Sequence, residues 1–417
     1  MKEVRKYRST QPAGISPNRP DMPIVALIGP ELFPIPPIRG GATELFIDRL
    51  AAHLTRYRPI IIGPGDPDLP THERQGQVEY RRVSLQSWQQ WLYRRYRRLF
   101  PVYDRRVASL VRQISPDLLH VHNRPLLALN LKTWFPGLPV LLHLHNSYHI
   151  LGKRERPVPF TPMPVEAIVA CSRFILNEER ERLGIGARAH LVIPNGVDME
   201  AFRPRWERDK EASAVRERYG LADEPVVLYA GKIRESKGVG LLLAAMERVW
   251  GRHPRAALVL VGGTEFGRGR LHRETPFFKQ FRDQAARAAG RVILTGFVPH
   301  VNMALTYLLG DIFAAPSQKA EGMPMVLLEA SACGLPLVAT RQGGIPEVVQ
   351  DGENGLLLDH PQDPEELAGK IGALLENPDL RRRLGRQARE MAREHFSWPH
   401  IAQKQEAVYD EILSKRV

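Results

Sequence analysis

Only two cysteines occur in 417 residues, Cys171 and Cys333, each inside an apolar segment. Two thiols in so long a chain make neither a disulfide framework nor a cysteine zinc site, so buried free thiols in a reducing compartment are expected. No apolar run approaches the roughly 18 residues that a membrane-spanning helix needs. Residues 1–22 are basic and contain proline, and they lack the apolar core of a secretion signal. A disordered tail and a cytoplasmic protein are the corresponding expectations. What is present is ordinary for a globular enzyme: 43% hydrophobic and 25% charged residues.

The length exceeds one ordinary core, so at least two domains are expected. The formal charge of +13 is uneven. Residues 1–200 carry 28 Lys+Arg against 18 Asp+Glu, and the remainder 31 against 28. A basic first half suits an anionic membrane surface, a phosphorylated acceptor or nucleic acid, and equally suits a solvated surface.

Strand and helix patterns alternate along the whole chain. The run 23–29 reads as a buried strand, followed by a proline-rich loop, Gly40-Gly41, and a helix from Ala42 to about Arg56 with Leu45, Phe46, Leu50 and Leu54 on one face. Strand, glycine loop and helix together let backbone N–H groups approach a phosphate, though Gly-Gly reads equally as a plain turn. Further strands are expected at 59–63, 117–122, 139–145 and 166–171. His143 and His145 fall on one strand face. His145 lies at the C-terminal edge, where open α/β sheets bind ligands. A His-x-His can be a metal pair, but no third ligand is indicated in the sequence.

Residues 87–115 interleave Trp88, Trp91, Leu92, Tyr96 and Leu99 with Arg94, Arg95, Arg97 and Arg98, and Arg105 and Arg106 resume the run after Pro101. Such a basic amphipathic segment either lies on an anionic surface or packs its aromatics into a core with arginines in water. After a charged connector at 203–224, strands are expected at 226–231, 257–263, 292–296, 312–316, 336–340 and 355–358, with a last amphipathic helix from Trp398. Two such series predict an α/β protein of two Rossmann-like domains facing one another across a cleft. The expected borders are 23–203 with 399–417, and 204–398.

The densest stretch is Glu321 to Glu329, two carboxylates eight positions apart around Gly322, Met323, Pro324 and Met325. A loop to about residue 323 and a helix to about Cys333 place Glu321 before the helix start and Glu329 on a later turn. The helix start between them is a ready phosphate site. Lys232 and Lys237, between an expected strand and helix, could neutralise a diphosphate there. One carboxylate on each side of a phosphate cradle suits a ligand with hydroxyls at both ends, as a nucleotide sugar has.

Taken together these motifs resemble the retaining glycosyltransferases of family 4, which have the GT-B fold, over roughly residues 24–415. Glu321–Glu329 matches the family's Glu-x7-Glu. Gly231-Lys-Ile-Arg-Glu-Ser-Lys-Gly238 resembles its diphosphate loop, with Lys232 where an arginine is usual, so the bidentate fork is lost. Ile193–Asp198 with Phe202–Pro204, the Gly40–Glu44 loop and Gly343–Glu347 also match. The resemblance implies that Lys232, Lys237, Gly40, Gly41 and the backbone of Gly322–Met325 hold a donor diphosphate. It places Glu329 on ribose, Glu321 on the donor sugar, Val298 by the base, and His145 beside the sugar through its side chain or backbone carbonyl. It further implies a final helix that crosses back to the first domain, and no metal or other cofactor. No Asp-x-Asp is read at a strand end.

The partners so implied are a nucleotide-sugar donor, with UDP favoured, and a hydroxyl acceptor, lipid-linked or polysaccharide, in cell-envelope synthesis. Peripheral association with an anionic membrane is expected through Arg94, Arg95, Arg97 and Arg98, and nucleic acid is not. The competing readings are a nucleotide-sugar epimerase or phosphorylase on the same fold, and a non-catalytic binder using the basic first half.

Overall fold

The computed structural model describes residues 21–85, 88, 101–147, 163–180, 183, 190–264 and 274–415. The basic cluster Arg94, Arg95, Arg97 and Arg98 and the tail at 1–20 lie outside them. The chain forms two compact units: Met1–Asn195 with Trp398–Val417, and Gly196–Ser397.

The first unit is built on eight strands: β1 (Ile24–Ile28), β2 (Arg58–Pro64), β3 (His72–Gln75), β4 (Val78–Val83), β5 (Leu118–His122), β6 (Val140–Leu144), β7 (Ala167–Ala170) and β8 (His190–Val192). Their order is β3-β4-β2-β1-β5-β6-β7-β8, with only β3 antiparallel. β1 is apolar along its length and buried from Val25 onwards, as a strand of a helix-covered parallel sheet demands, whereas β5 and β6 carry buried histidines on one face. β3 and β4 were not expected from the sequence, because they are charged. The buried Arg82 guanidinium lies 2.6 Å from Glu73 and donates to the Pro70 and Ile35 carbonyls.

The helix Trp398–Ser414 packs in this unit against the helix Ala42–His53. Its Glu406 carboxylate accepts from the Thr55 and Arg56 backbone N–H groups at 2.5 and 2.7 Å. These donors follow the end of the Ala42–His53 helix, and the Glu406 side chain that meets them is buried.

The second unit holds β9 (Val226–Ala230), β10 (Ala257–Val261), β11 (Arg291–Gly296), β12 (Ile312–Ala315), β13 (Leu337–Thr340) and β14 (Gly355–Leu358), all parallel, in the order β11-β10-β9-β12-β13-β14. Helix starts here carry explicit chemistry. Thr275, Asp363 and Asn377 each accept a backbone N–H at an N-cap, followed by proline at the first helical position. The unit begins at Gly196, earlier than the expected border near 203. The cause is local: Val197 N–H donates to the Phe396 carbonyl and Arg389 donates to the Phe202 carbonyl, tying 196–203 to the unit's last helix.

Each sheet reverses its direction of growth at one pair of neighbours, β1/β5 in the first unit and β9/β12 in the second. Loops leaving the C-terminal ends of such strands diverge and leave a crevice. The loops there are Gly29–Gly41 and the segment after His122 in the first unit. In the second they are 231–238 and 316–324.

Candidate active site

In the second unit three loops meet at the β9/β12 edge. Gly238 has φ +71°, and a Cβ on it would lie 1.8 Å from the Pro316 carbonyl oxygen. Only glycine permits this approach, which brings the loop after β9 against the end of β12. Gln318 N–H donates to the Ser236 carbonyl at 2.9 Å across the same seam. The third loop follows β13. Gly344 N–H donates to the Glu321 carbonyl at 2.8 Å, and a Cβ on Gly343 would lie 2.3 Å from that oxygen.

These contacts fix Glu321. Its Oε2 lies 2.5 Å from Lys237 Nζ and its Oε1 accepts from the Ser317 hydroxyl. From the sequence, Lys237 and Lys232 are expected to neutralise a diphosphate. Lys237 is ion-paired with Glu321, the other candidate residue. Lys232 is half-buried, and its carbonyl accepts from the Tyr229 hydroxyl at 2.8 Å.

The helix after Glu321 runs Met325–Ala332 with Pro324 at its N-cap and no side-chain cap bond. Gly322 and Met323 are buried, and Pro324 and Met325 half-buried. Glu329 sits on the later turn as expected, but at 4% exposure it is no surface residue. Both its oxygens are engaged: Oε1 by His300 Nε2 at 2.9 Å and Oε2 by the Tyr307 hydroxyl at 2.8 Å. Burial, and then the Glu329 charge, push the Tyr307 hydroxyl well up, so it stays a donor. His300 and Tyr307 were not expected from the sequence. Val298, half-buried, stands two residues before His300 on the loop after β11. The sequence signal for His300 is only its closeness to Val298.

In the first unit Gly40 and Gly41 have φ +84° and +123° and lead directly into the helix Ala42–His53. Arg39, beside them, donates to Asp66 at 3.0 and 3.1 Å and to Asp68 at 2.5 Å. This corrects the sequence reading, which saw no Asp-x-Asp at a strand end. Asp66-Pro67-Asp68 follows β2, and its carboxylates grip the Arg39 guanidinium. Glu44 is buried in the helix's first turn. Burial raises its carboxyl to about 7, against the pull of a hydrogen bond from its own backbone N–H.

His145 lies one residue beyond β6. Its N–H donates to Asn123 Oδ1 at 2.7 Å, and its carbonyl accepts from the Cys171 thiol at 3.4 Å. The ring is nearly buried, 4.6 Å from Phe46, and burial lowers it to about 3. His143 is not an isolated strand residue. His120 and His122 of β5 join it, and ligand atoms of His120, His122 and His143 lie within 4.8 Å of one another. The sequence alone indicates no third ligand beside the His-x-His, and the strand register brings these two further rings next to it. The three side chains are fully buried, and burial holds each ring well below its usual range, in the neutral form.

Arg105 and Arg106 are exposed on the helix Val102–Ile114, whose Tyr103, Asp104, Val107, Ala108 and Val111 are buried. The described part of the amphipathic segment therefore packs as an ordinary surface helix. Among the described residues, no helix is long and apolar enough to cross a membrane.

Two parallel-sheet units, one with carboxylates and lysines at its crossover edge, define the class: a GT-B glycosyltransferase. Sequence profiles agree. That of the glycosyl transferases group 1 matches residues 212–391, and that of glycosyltransferase family 4 matches 40–201. The putative glycosyltransferase YtcC of Bacillus subtilis is 30% identical over 400 residues, 94% of this chain and 93% of that one. The lipopolysaccharide 1,2-N-acetylglucosaminetransferase of Salmonella typhimurium is 26% identical over 380 residues, 89% and 94% of the two chains. Among solved structures, Anabaena HepE in complex with UDP superposes with a TM-score of 0.72 at 22% identity, over 94% of this chain and all of that one. The chain belongs to the group 1, family 4 glycosyltransferases, and is an enzyme of that class.

Proposed function

We propose that this enzyme transfers a sugar from a nucleoside-diphosphate sugar, UDP-linked in the favoured reading, to a hydroxyl acceptor with retention of anomeric configuration. The observation that carries the reading is the Lys237–Glu321 pair at the crossover edge of the second sheet. A cation and a carboxylate held together by three glycine-stitched loops suit the junction of a sugar and its diphosphate. The diphosphate takes Lys237 and Lys232 together with the N–H groups at Gly322–Met325. Glu321, freed from part of its ion pair, accepts from the sugar's hydroxyls. Glu329 reaches the ribose through its remaining lone pairs, and Val298 borders the base. The family resemblance assigns Gly40 and Gly41 of the first unit to the diphosphate and His145 to the sugar. The acceptor hydroxyl attacks on the face the nucleotide leaves, and the departing diphosphate assists its deprotonation. The protein contributes alignment and charge stabilisation and no covalent nucleophile. No metal takes part in this scheme.

The UDP preference draws on HepE, solved with UDP. A cell-envelope or surface polysaccharide or glycolipid acceptor draws on the lipopolysaccharide transferase among the relatives. Peripheral association with the inner face of an anionic membrane through the 94–98 arginines is part of the proposal, as is a cytoplasmic location. The test is thermal-shift screening against UDP, GDP, ADP and their sugars, because a ligand of the native state raises its melting temperature. Stabilisation by one nucleotide series, followed by acceptor-dependent release of that nucleotide, is the expected result. Stabilisation by none of them, or turnover that requires inorganic phosphate, counts against it.

A further inference from the structure

On one face of the first sheet, His120 and His122 of β5 stand beside His143 of β6 and His145 just past its end. The strands are parallel with His122 opposite His143, so alternation puts all four rings on one side. They form two edge-to-edge pairs, His120 Nε2 with His143 Nδ1 at 3.2 Å and His122 Nδ1 with His145 Nε2 at 3.0 Å. Along the strands the ring centroids lie 4.0 and 4.2 Å apart, with His120 and His122 tilted by 34° and His143 and His145 stacked.

The second pair has two proton arrangements. In the first, His122 carries its proton on Nδ1 and donates to His145 Nε2. In the second, His145 donates from Nε2, and the neutral His122 must then carry its proton on Nε2. That atom is buried without a hydrogen-bond partner among the described residues. The second arrangement therefore strands a buried N–H, whereas the first strands only a lone pair. Buried orphan donors are the rarer and costlier of the two. A doubly protonated ring is excluded by burial, which drives both histidines towards neutrality.

We propose that His122 is a positioning residue: it holds His145 as the Nδ1–H tautomer, with Nε2 committed as an acceptor. What His145 offers a ligand is then an N–H donor in a fixed ring plane, and the ring is no base. The functional consequence rests on the reading above that places His145 beside the donor sugar. A hydroxyl or ring oxygen of that sugar is the matching acceptor. The tautomer itself does not rest on that reading.

The experiment is a long-range 1H–15N correlation on protein labelled with 15N-histidine, read without ligand. The His122→Asn, His122→Phe and His145→Ala variants assign the signals. The expected wild-type result is a protonated Nδ1 and bare Nε2 for His145. His122→Asn keeps an N–H near the Nδ1 position and preserves that pattern. His122→Phe removes the donor, moves the His145 proton towards Nε2, and lowers kcat at least tenfold with a smaller change in KM for the donor. A wild-type His145 protonated on Nε2 overturns the proposal, as does a tautomer unchanged in His122→Phe. Stoichiometric uptake of Zn2+ by the wild type that is lost in His122→Asn also overturns it, since the metal would claim the paired nitrogens. Should the tautomers stand as expected while His145→Ala transfers sugar normally, the placement of His145 at the donor fails and the positioning claim survives.

Discussion

Lys237 Nζ lies 2.5 Å from Glu321 Oε2, though 84 residues separate them in the chain. Their loops leave neighbouring strands, β9 and β12, at the point where the sheet changes direction. Glu321→Gln keeps the shape and removes the charge. It should lower kcat by at least a hundredfold, the scale of losing one preorganised electrostatic contact, with an unchanged circular dichroism spectrum. Lys237→Ala should chiefly raise KM for the donor. The pair should couple in a double-mutant cycle, because residues in direct contact are not additive.

Glu329 tests whether a buried carboxylate can serve a ligand while two protein groups hold it. Tyr307→Phe leaves Oε2 without its hydroxyl donor, and the fold should lose about 1–3 kcal/mol in urea titration. His300 is partly exposed, so His300→Ala should cost less stability. It should move KM for the nucleotide sugar instead, and an unchanged KM would show that His300 has no part in donor binding.

Gly238→Ala should be damaging on two grounds. Its φ of +71° disfavours a side chain, and the new Cβ would meet the Pro316 carbonyl. A loss of about 1–3 kcal/mol from backbone strain alone is expected. Donor affinity should fall with it, since the loop carrying Lys237 must move. Gly76 also has a positive φ, of +57°, but a Cβ there meets nothing within 4 Å, so Gly76→Ala is the milder control.

Acid stability should follow the four histidines. Their folded pKa values are depressed, while the unfolded rings protonate near 6.5. Below that pH the unfolded chain binds more protons, so stability falls as pH drops, by about 1.4 kcal/mol per unit for each ring still neutral. His143→Asn should remove about one proton from the measured slope. Glu44 acts in the opposite sense. Its folded pKa is raised from 4.5 to about 7, so stability falls as pH climbs through that window. Glu44→Gln should be more stable than wild type at pH 8, by about 3 kcal/mol at most, and should lose that advantage near pH 4.

Much of the frame was legible in the sequence, because buried parallel strands are apolar runs. The runs Ile24–Ile28, Val226–Ala230 and Ala257–Val261 announce themselves, and Pro324 with Gly322 marks the helix that follows Glu321. The hairpin of β3 and β4 did not, since His72–Gln75 is all polar and its partner is held by a buried Arg82–Glu73 pair. The Glu321 and Glu329 positions could be read, but their partners could not. Ser317 is close in sequence, while Lys237, His300 and Tyr307 are brought in by the fold. The histidine array was half visible: 143 and 145 stand out as a pair, and only strand register reveals that 120 and 122 lie alongside.

The most direct measurement is equilibrium binding of UDP, GDP and ADP, by calorimetry, to the wild type and to Lys232→Ala/Lys237→Ala. The account predicts that one nucleoside diphosphate binds the wild type with one site per chain, and that the double variant binds it at least tenfold more weakly. Equal affinity in both proteins, or no nucleoside diphosphate bound by the wild type, would contradict it.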